Sequence, residues 1–255
     1  MRDNCYFLSD LHLGSAEEPN AFLLLQFLRR FQSKEQISHL FLVGDIFDLW
    51  VSSQDYYIKK FQPIVDEWRR LHALGVKIHY FEGNHDLYLQ HYFGEVLGFH
   101  VHAGPTYFQL AGHRVRVEHG DQMDLDDHGY KMLRWFWRTP VMNWLAPRIP
   151  AAAVRAVGEN MSRASRAHNE KSAMHGAFDA KRAHALMQKH TERVWPADHF
   201  DLLICGHIHV RQDFQVQVGQ NNIRAVNLGS WFDGAKTFHL SSDKAEFVEI
   251  VHAGK

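Results

Sequence analysis

The first part of the chain alternates short apolar runs with longer amphipathic stretches. The runs at residues 5–8, 39–43 and 76–81 have the length and composition of buried strands. The stretches between them, at 21–31 and 57–74, repeat apolar side chains at the three- and four-residue spacing of a helix packed on a sheet. This order of strand, helix and strand predicts a layered α/β domain.

The pattern changes twice in the second part. Two alternating segments between residues 107 and 118 predict a hairpin, and from Asp201 strand-like runs return (DLLIC, DFQVQV, NIRAVNL and AEFVEI) at the spacing of an antiparallel second sheet. The stretch between them is helical in character. We therefore predict a core formed by two parts of the chain and a helical cap inserted between them: residues 1–123 and 191–255 for the core, and 124–190 for the cap.

The composition excludes several classes of partner. Charged residues make up 22% of the chain and the formal net charge is -1, so no global field attracts nucleic acid or an acidic membrane. No long stripe of Lys and Arg offers a surface that tracks phosphates, which disfavours a nuclease. We predict no nucleic-acid partner and no protein partner.

Cysteine usage and the first residues indicate the compartment. Cys5 and Cys205 lie in or beside apolar runs without CxxC spacing, which fits buried thiols in a reducing environment. The opening sequence MRDNCYFLSDLHLG is typical of a strand and a loop rather than of a secretory signal. We expect a cytoplasmic protein.

Five short polar motifs each follow a strand-like run, at the strand ends where ligand sites collect in open α/β sheets. Each motif alone is as well explained by a turn or a helix cap, but five together predict one site. Residues two apart at a strand end point to the same side, so both members of such a pair can reach one ion. The motifs are Asp10-Leu11-His12, Gly44-Asp45-Ile46-Phe47-Asp48, Gly83-Asn84-His85-Asp86, His119-Gly120-Asp121 and Gly206-His207-Ile208-His209.

The donor types in these motifs constrain the metal. Carboxylate, imidazole and the amide oxygen of Asn84, without a thiolate, suit Mn²⁺, Fe²⁺ or Zn²⁺ rather than a closed structural zinc site, and we expect Mn²⁺. One carboxylate can bridge two ions about 3.5 to 4 Å apart. Asp45 is the candidate bridge.

The five motifs, in this order, resemble the signature of the calcineurin-like metallophosphoesterases. The resemblance covers residues 10–209 and implies a four-layer α/β/β/α sandwich that holds two ions and hydrolyses a phosphate ester or anhydride. Carried onto the matching positions, it implies two overlapping ligand sets: Asp10, His12, Asp45 and His209 for one ion, and Asp45, Asn84, His119 and His207 for the other.

The same resemblance implies roles for the remaining motif residues. His85, next to Asn84, would donate a proton to the leaving oxygen, and Asp45 would be catalytic as the bridge. Three carboxylates would orient ligand imidazoles, although capping their own loops is an equally simple interpretation: Asp48, Asp86 and Asp121.

Longer phrases narrow the resemblance to a subfamily. SDLHLG, VGDIFDLW, HGDQMDLDDHGY and LGSW, with Ser165, Arg166 and Asn169 in the cap, resemble the UDP-2,3-diacylglucosamine diphosphatases of lipid A synthesis. The subfamily implies a lipid-linked nucleotide sugar as substrate, which is split into UMP and a lipid sugar phosphate. It also implies eight residues that contact the substrate: Asn84, His85, Asp127, Tyr130, Ser165, Asn169, Lys171 and His207.

Two positions depart from that subfamily, so alternatives stay open. His85 stands where typical members have Arg, and Lys171 lies two residues after Asn169 rather than three. The alternatives are another lipid-linked or nucleotide pyrophosphate, a general phosphomonoesterase or protein phosphatase, and a metal-bound scaffold without catalysis.

An aromatic and basic cluster in the cap has two interpretations. The sequence LRWFWRTPVMNWLAPRIP could meet acyl chains and headgroups, which would bring the protein transiently to the cytoplasmic face of the inner membrane. Equally, the same aromatic residues could close the small core of the cap.

Overall fold

The computed structural model describes residues 3–125, 132, 135–145, 148–149 and 176–251, which form thirteen strands, six α- or π-helices and one short 3₁₀ helix (Trp231–Asp233). The strands are β1 (Asn4–Leu8), β2 (His39–Val43), β3 (Trp50–Val51), β4 (Lys77–Phe81), β5 (Asp86–Leu87), β6 (His100–His102), β7 (Thr106–Leu110), β8 (His113–Val117), β9 (Leu202–Cys205), β10 (Gln212–Val218), β11 (Asn221–Asn227), β12 (Lys236–Ser241) and β13 (Ala245–Glu249). The helices are α1 (Pro19–Arg29), α2 (Asp55–Lys60), α3 (Gln62–Ala73), the π-helix α4 (Gln90–Val96), α5 (Pro140–Leu145) and α6 (Gly176–Asp198). No helix among these residues combines the length and the apolarity needed to cross a bilayer.

Two large sheets form the centre of the fold. The first has the strand order β13-β12-β1-β2-β4-β6, and the second has the order β10-β11-β9-β8-β7. In the first sheet β1, β2, β4 and β6 are parallel, and the hairpin of β12 and β13 extends the sheet through antiparallel pairing of β12 with β1. Strand β2 is almost entirely buried, as expected of a parallel strand that is covered on both faces.

Helices cover the outer face of each sheet. Leu40 and Ile78 belong to the apolar cluster that α1 and α3 share with the first sheet. Between the sheets Phe7 and Phe41 stack with their ring centroids 4.4 Å apart, and on the far side Met187 of α6 packs with side chains of β10 and β11. The four layers α/β/β/α confirm the predicted fold class.

The second sheet is mixed, so the prediction of an antiparallel sheet was wrong. Strand β9 pairs in parallel with both β8 and β11. The chain reaches β9 through α6, and a helical crossover allows the parallel pairing that a tight turn cannot. The run AEFVEI also differs, because it forms β13 at the edge of the first sheet. The predicted hairpin is confirmed as β7 and β8.

Helix α6 runs without a break across residue 190, where the sequence predicted the end of the cap. Its later residues pack on the second sheet, including Met187, Val194 and Trp195. The division into core and cap remains a prediction, since much of 124–190 lies outside the described residues.

A row of histidines fills one edge of the space between the sheets. His79 is buried and stacks on Phe41, with ring centroids 4.6 Å apart, and on His100, at 4.9 Å. Burial, reinforced by His102 and His100, lowers the pKa of His79 to about 2, and burial lowers the pKa of His102 to about 4. These imidazoles are therefore neutral near pH 7.

This row predicts that stability falls in acid. The pKa of His79 is lower in the folded protein than its ordinary value of 6.5, so its contribution is complete above pH 6.5 and is lost as the pH falls toward 2. One such group changes the free energy of unfolding by about 1.4 kcal/mol per pH unit below 6.5. Between pH 7 and pH 5, the free energy of unfolding should fall by about 2 kcal/mol less in His79→Phe than in the wild type.

Urea unfolding at both pH values measures this difference. The exposed His113 in β8 provides the control, and His113→Phe should keep the acid sensitivity of the wild type. An equal loss in His79→Phe and the wild type would show that His79 is not the acid-sensitive group.

Candidate metal centre

The predicted ligands converge because the strands that precede them are parallel neighbours. Asp10, Asp45 and Asn84 follow β1, β2 and β4 of the first sheet, and His119 and His207 follow β8 and β9 of the second. Main-chain hydrogen bonds join these loops directly. The amide of Asp10 donates to Gly44 O at 3.2 Å, and that of Gly206 donates to His119 O at 2.9 Å.

One group of donors gathers around His12. Its Nε2 lies 3.1 Å from His209 Nε2 and 3.9 Å from Asp45 Oδ2. His209 Nε2 is in turn 3.3 Å from Asp10 Oδ1. Asp10, His12 and His209 offer ligand atoms that all lie within 4.8 Å of one another, which suits a single ion.

A second group gathers around Asn84. Its Oδ1 lies 3.1 Å from both His119 Nε2 and His207 Nδ1. His119 Nε2 lies 3.5 Å from Asp45 Oδ2, the same carboxylate oxygen that faces His12. The structure therefore brings all seven predicted ligands together and puts Asp45 between the two groups.

Left-handed backbone, rather than strand alternation, aims these side chains. Five of the seven ligand residues have φ between +48° and +71°, where side chains other than glycine are uncommon and cost about 1 to 3 kcal/mol each. Asp and His are among the residues that tolerate this region best. The expected extended geometry of the two spaced pairs is thus corrected, since Asp10 and His12 are both left-handed and so are His207 and His209. Asp45 is the fifth left-handed residue.

Glycines allow the loops to approach this closely. A Cβ atom on Gly83 would lie 2.1 Å from Asp45 Oδ1 and 2.7 Å from the Asp45 amide. A Cβ atom on Gly206 would lie 2.4 Å from Asp10 Oδ2. Both glycines directly precede a candidate ligand, and any larger residue at these two positions would clash with the side chain of another candidate ligand.

The hydrogen bonds leave suitable donor atoms for ions. His119 Nδ1 donates to Val43 O at 2.9 Å, which directs its Nε2 toward the centre. Asp45 Oδ1 accepts from the His85 amide at 2.9 Å, which leaves Oδ2 between the two groups. The buried Asp10 Oδ1 has the His209 ring nitrogen at 3.3 Å but no well-aligned hydrogen-bond donor among the described residues. The donor set fits two divalent ions, because buried carboxylate oxygens and imidazole nitrogens converge here and buried charges need compensation.

The sequence model of the calcineurin-like phosphoesterases matches residues 4–211. The chain belongs to this family. A UDP-2,3-diacylglucosamine hydrolase of Xanthomonas oryzae pv. oryzae is 28% identical over 93% of this chain and 95% of its own, and one of Aeromonas salmonicida is 29% identical over 89% and 85%. An archaeal phosphodiesterase of known structure has a TM-score of 0.46 and 13% identity over 96% of this chain and 98% of its own.

The family confirms the predicted resemblance and makes this phosphoesterase a hydrolytic enzyme with divalent metal ions as cofactors. Five residues that the sequence assigned to the substrate lie outside the described residues: Asp127, Tyr130, Ser165, Asn169 and Lys171.

Electrostatics in the phosphoesterase prepare the ligands for cations. Burial lowers the pKa values of His12 and His207 to about 4, so both imidazoles are neutral near pH 7. Burial would also lower the pKa of His119, but the carboxylates of Asp45 and Asp10 outweigh it and raise that pKa to about 10. Ion binding would therefore displace a proton from His119.

The three carboxylates around the ligands have different surroundings. Asp48 Oδ1 lies 3.9 Å from His12 Nδ1, and the charge of the buried Asp121 contributes to the raised pKa of His119. Asp86 agrees with the alternative expectation, a carboxylate that caps a loop, rather than with contact to an imidazole. It accepts from the amides of Ile46 and Phe47, at 2.8 and 3.3 Å, and from the Tyr80 hydroxyl. It therefore holds the main chain that follows Asp45.

His85 lies at the edge of the centre. Its ring is perpendicular to that of His12, with centroids 4.9 Å apart, and it offers a nitrogen within 4.8 Å of donor atoms on His12 and Asp45. His85 Nδ1 lies 2.7 Å from Asp48 O, an acceptor that fixes the proton on Nδ1. The other ring nitrogen remains for a substrate.

Two contacts of the centre were missed by the sequence analysis. The Ser9 hydroxyl donates to Asp10 Oδ2, and the Trp231 amide donates to Asp10 O at 3.3 Å. Ser9 stands directly before a ligand motif, which is a usable signal. Trp231 is 221 positions away from Asp10, and no local pattern could connect them.

Asp45 predicts the largest single effect on the centre. Asp45→Ala removes the carboxylate that both donor groups share, and we expect turnover to fall by more than the roughly 10- to 100-fold typical of a lost outer partner. Metal content per chain and turnover with Mn²⁺ measure this effect. Asp66→Ala, which removes an exposed carboxylate on α3, should change neither quantity. Near-normal turnover in Asp45→Ala would contradict a shared ligand.

The close approach of Gly83 to Asp45 can be tested with a matched pair of variants. Gly83→Ala forces Asp45 to move, and a displacement of this kind costs about 100-fold in activity. Gly104→Ala adds the same methyl group where nothing lies within 4 Å, so it should behave as the wild type. Mn²⁺ titration and turnover compare them. Equal behaviour of the two variants would show that the close approach of Gly83 to Asp45 is unimportant.

Proposed function

We propose that this phosphoesterase hydrolyses the pyrophosphate bond of UDP-2,3-diacylglucosamine and releases UMP and 2,3-diacylglucosamine 1-phosphate. The position of Asp45 Oδ2 is the observation that supports this type of reaction, because the atom lies between the two donor groups. Two relatives with this substrate in their names align with at least 85% of their own length, and they support the choice of substrate.

The residues of the metal centre would have distinct roles in this reaction. Bound divalent ions supply Lewis acidity and lower the pKa of water. Asp45 would hold the two ions at a fixed separation, while Asn84 and His207 would orient the phosphate beside them. We propose Mn²⁺ as the metal because the donors include no thiolate, with Fe²⁺ and Zn²⁺ as alternatives.

His85 would act on the leaving oxygen. Its Nδ1 proton is held by Asp48 O at 2.7 Å, so the second proton of the imidazolium form, on Nε2, could be delivered in a fixed direction. A phosphate leaving group has a low pKa and needs little help from an acid. An alkoxide leaving group needs a proton. His85 therefore also favours a second candidate function, the hydrolysis of phosphomonoesters.

Exposed apolar side chains in one segment of the chain support contact with the acyl chains and with a bilayer. We use the name apolar patch for Met132, Trp135, Val141 and Trp144, which lie within 13 positions of one another along the chain and are between 61% and 71% exposed. Such exposure favours contact with lipid over closure of a core within the cap. The guanidinium of Arg148 lies 4.3 Å from the Trp144 ring centroid, which adds a cation for headgroups.

The segment that carries this patch is anchored beside the metal centre. Arg138 Nη1 donates to Glu82 Oε2 at 3.1 Å and to Ala103 O at 2.9 Å, and the Tyr88 hydroxyl donates to Trp137 O. Glu82 and Tyr88 flank the motif of Asn84 and His85. A lipid held by the patch would thus lie close to the ligands, and we propose a transient contact with the membrane surface.

The decisive experiment is turnover of UDP-2,3-diacylglucosamine in mixed micelles by the purified protein with Mn²⁺. UMP release is followed beside an aryl phosphate and a phosphodiester. We expect rapid UMP formation that stops on chelation. Turnover of the aryl phosphate alone would reject the lipid substrate and leave the phosphomonoesterase.

His85 predicts a dependence on the leaving group. His85→Ala should slow an alkyl phosphate by about 100-fold or more, as expected of a lost general acid, and should slow the pyrophosphate and an activated aryl ester much less. Rate constants for the three substrates measure this. His91→Ala, at an exposed position on α4, is the control. Equal losses on all three substrates would assign His85 to binding.

The patch predicts weaker binding to lipid vesicles after substitution. Trp135→Ser and Trp144→Ser should each weaken binding to anionic vesicles by about tenfold, because each removes a large exposed apolar surface that contact with the bilayer would bury. Hydrolysis of a soluble aryl phosphate should not change. Val96→Ser, at another exposed apolar residue, is the matched control. Unchanged vesicle binding in both tryptophan variants would exclude the patch as the contact.

A further inference from the structure

Phe232 is an exposed aromatic residue directly beside the metal centre. Its ring stacks on that of His12, with centroids 5.9 Å apart and planes inclined at 20°, while 46% of its surface remains exposed. His12 itself is buried. A single exposed apolar side chain is normal on a protein surface, but the main chain around Phe232 is held in place by two sets of contacts.

The loop around Phe232 is tied to the ligand-bearing main chain. The amide of Ser230 donates to His209 O at 3.1 Å, and the amide of Trp231 donates to Asp10 O at 3.3 Å. His209 and Asp10 both belong to the first donor group. The position of Phe232 is therefore set by the same backbone that sets the ligands.

A second set of contacts closes the loop from the other side. Arg211 Nη2 donates to Ser230 O at 3.2 Å and to Gly234 O at 3.1 Å, and the buried indole of Trp231 donates from Nε1 to Lys236 O at 3.0 Å. The loop thus has little freedom to fold the phenyl ring away into the core. A side chain held in advance in one position is a feature of binding sites, because it lowers the entropy cost of binding.

The place of the ring indicates which part of a ligand it meets. Phe232 is one imidazole ring away from the ion that His12 would hold. The base of a nucleotide is one ribose away from its α-phosphate, so a phosphate at the ions would bring a base within reach of the phenyl face. The apolar patch, which suits acyl chains, is anchored to different loops, at Glu82 and Tyr88.

We infer that Phe232 is the stacking platform for the nucleobase of the substrate, an inference that rests on the proposed function. Stacking of a base on an aromatic side chain contributes about 1 to 3 kcal/mol and depends little on which base is present. The platform therefore favours nucleotides over bare phosphates and discriminates weakly between uracil and cytosine.

Calorimetric titration of the Mn²⁺-loaded protein with UMP, CMP and ribose 5-phosphate tests this inference without requiring turnover. We expect Phe232→Ala to weaken the binding of UMP and of CMP by roughly tenfold each and to leave the affinity for ribose 5-phosphate unchanged. Phe232→Tyr keeps an aromatic face and should bind all three as the wild type does. Val96→Ala, another exposed apolar position, should also match the wild type. Thermal melting of each variant verifies that it is folded.

Two results would overturn the platform. In one, Phe232→Ala binds UMP as tightly as the wild type does. In the other, Phe232→Ala loses the same factor of affinity for UMP and for ribose 5-phosphate, which would mean that the ring acts through His12 and not on the base. Normal UMP release from the lipid substrate by Phe232→Ala, with unchanged KM, would leave the proposed function standing without the platform. Loss of UMP binding in Phe232→Ala, in a protein that does not cleave the lipid substrate, would leave the platform standing without that function.

Discussion

Parallel pairing of neighbouring strands is the constraint on which the centre depends. Because β1, β2 and β4 run in one direction, their carboxyl ends meet at one edge of the first sheet, and β8 and β9 do the same in the second. Face-to-face packing then brings the two edges together. An antiparallel β9 would carry His207 and His209 to the opposite end of the sandwich.

Buried charge at this edge opposes folding unless it is compensated. Asp10 and Asp45 are almost completely buried, and so are His12 and His119. Isolated buried charges are costly, and pairing them offsets the cost only when the geometry is good. Here the chain adds left-handed backbone at five ligands, which is a further cost. The ligands are therefore arranged for cations at the expense of the stability of the bare chain.

The sequence predicted what local patterns encode. The order of motifs predicted the family and the layers, because each motif needs only its own residues to be recognised, and the seven candidate ligands that it named lie together at one edge of the fold. The parallel β9 could not be predicted, since its direction is decided by the crossover through α6 rather than by its own apolar residues. The contacts of Asp86 with Ile46 and Phe47, and of Trp231 with Asp10, were not predicted either, because they join residues that are far apart along the chain.

The separation of the ligands along the chain also has a kinetic consequence. His12 and His209 are 197 positions apart, and the His207 amide reaches back over the same distance to Asp10 Oδ2. Contacts of such length form late, because loop closure precedes any gain in contact energy. During synthesis, the ribosome must release β9 and the loop after it before the first donor group can close. Metal ions can therefore stabilise the finished fold by mass action, and the complete first donor group is available to them only after β9 has taken its place in the second sheet.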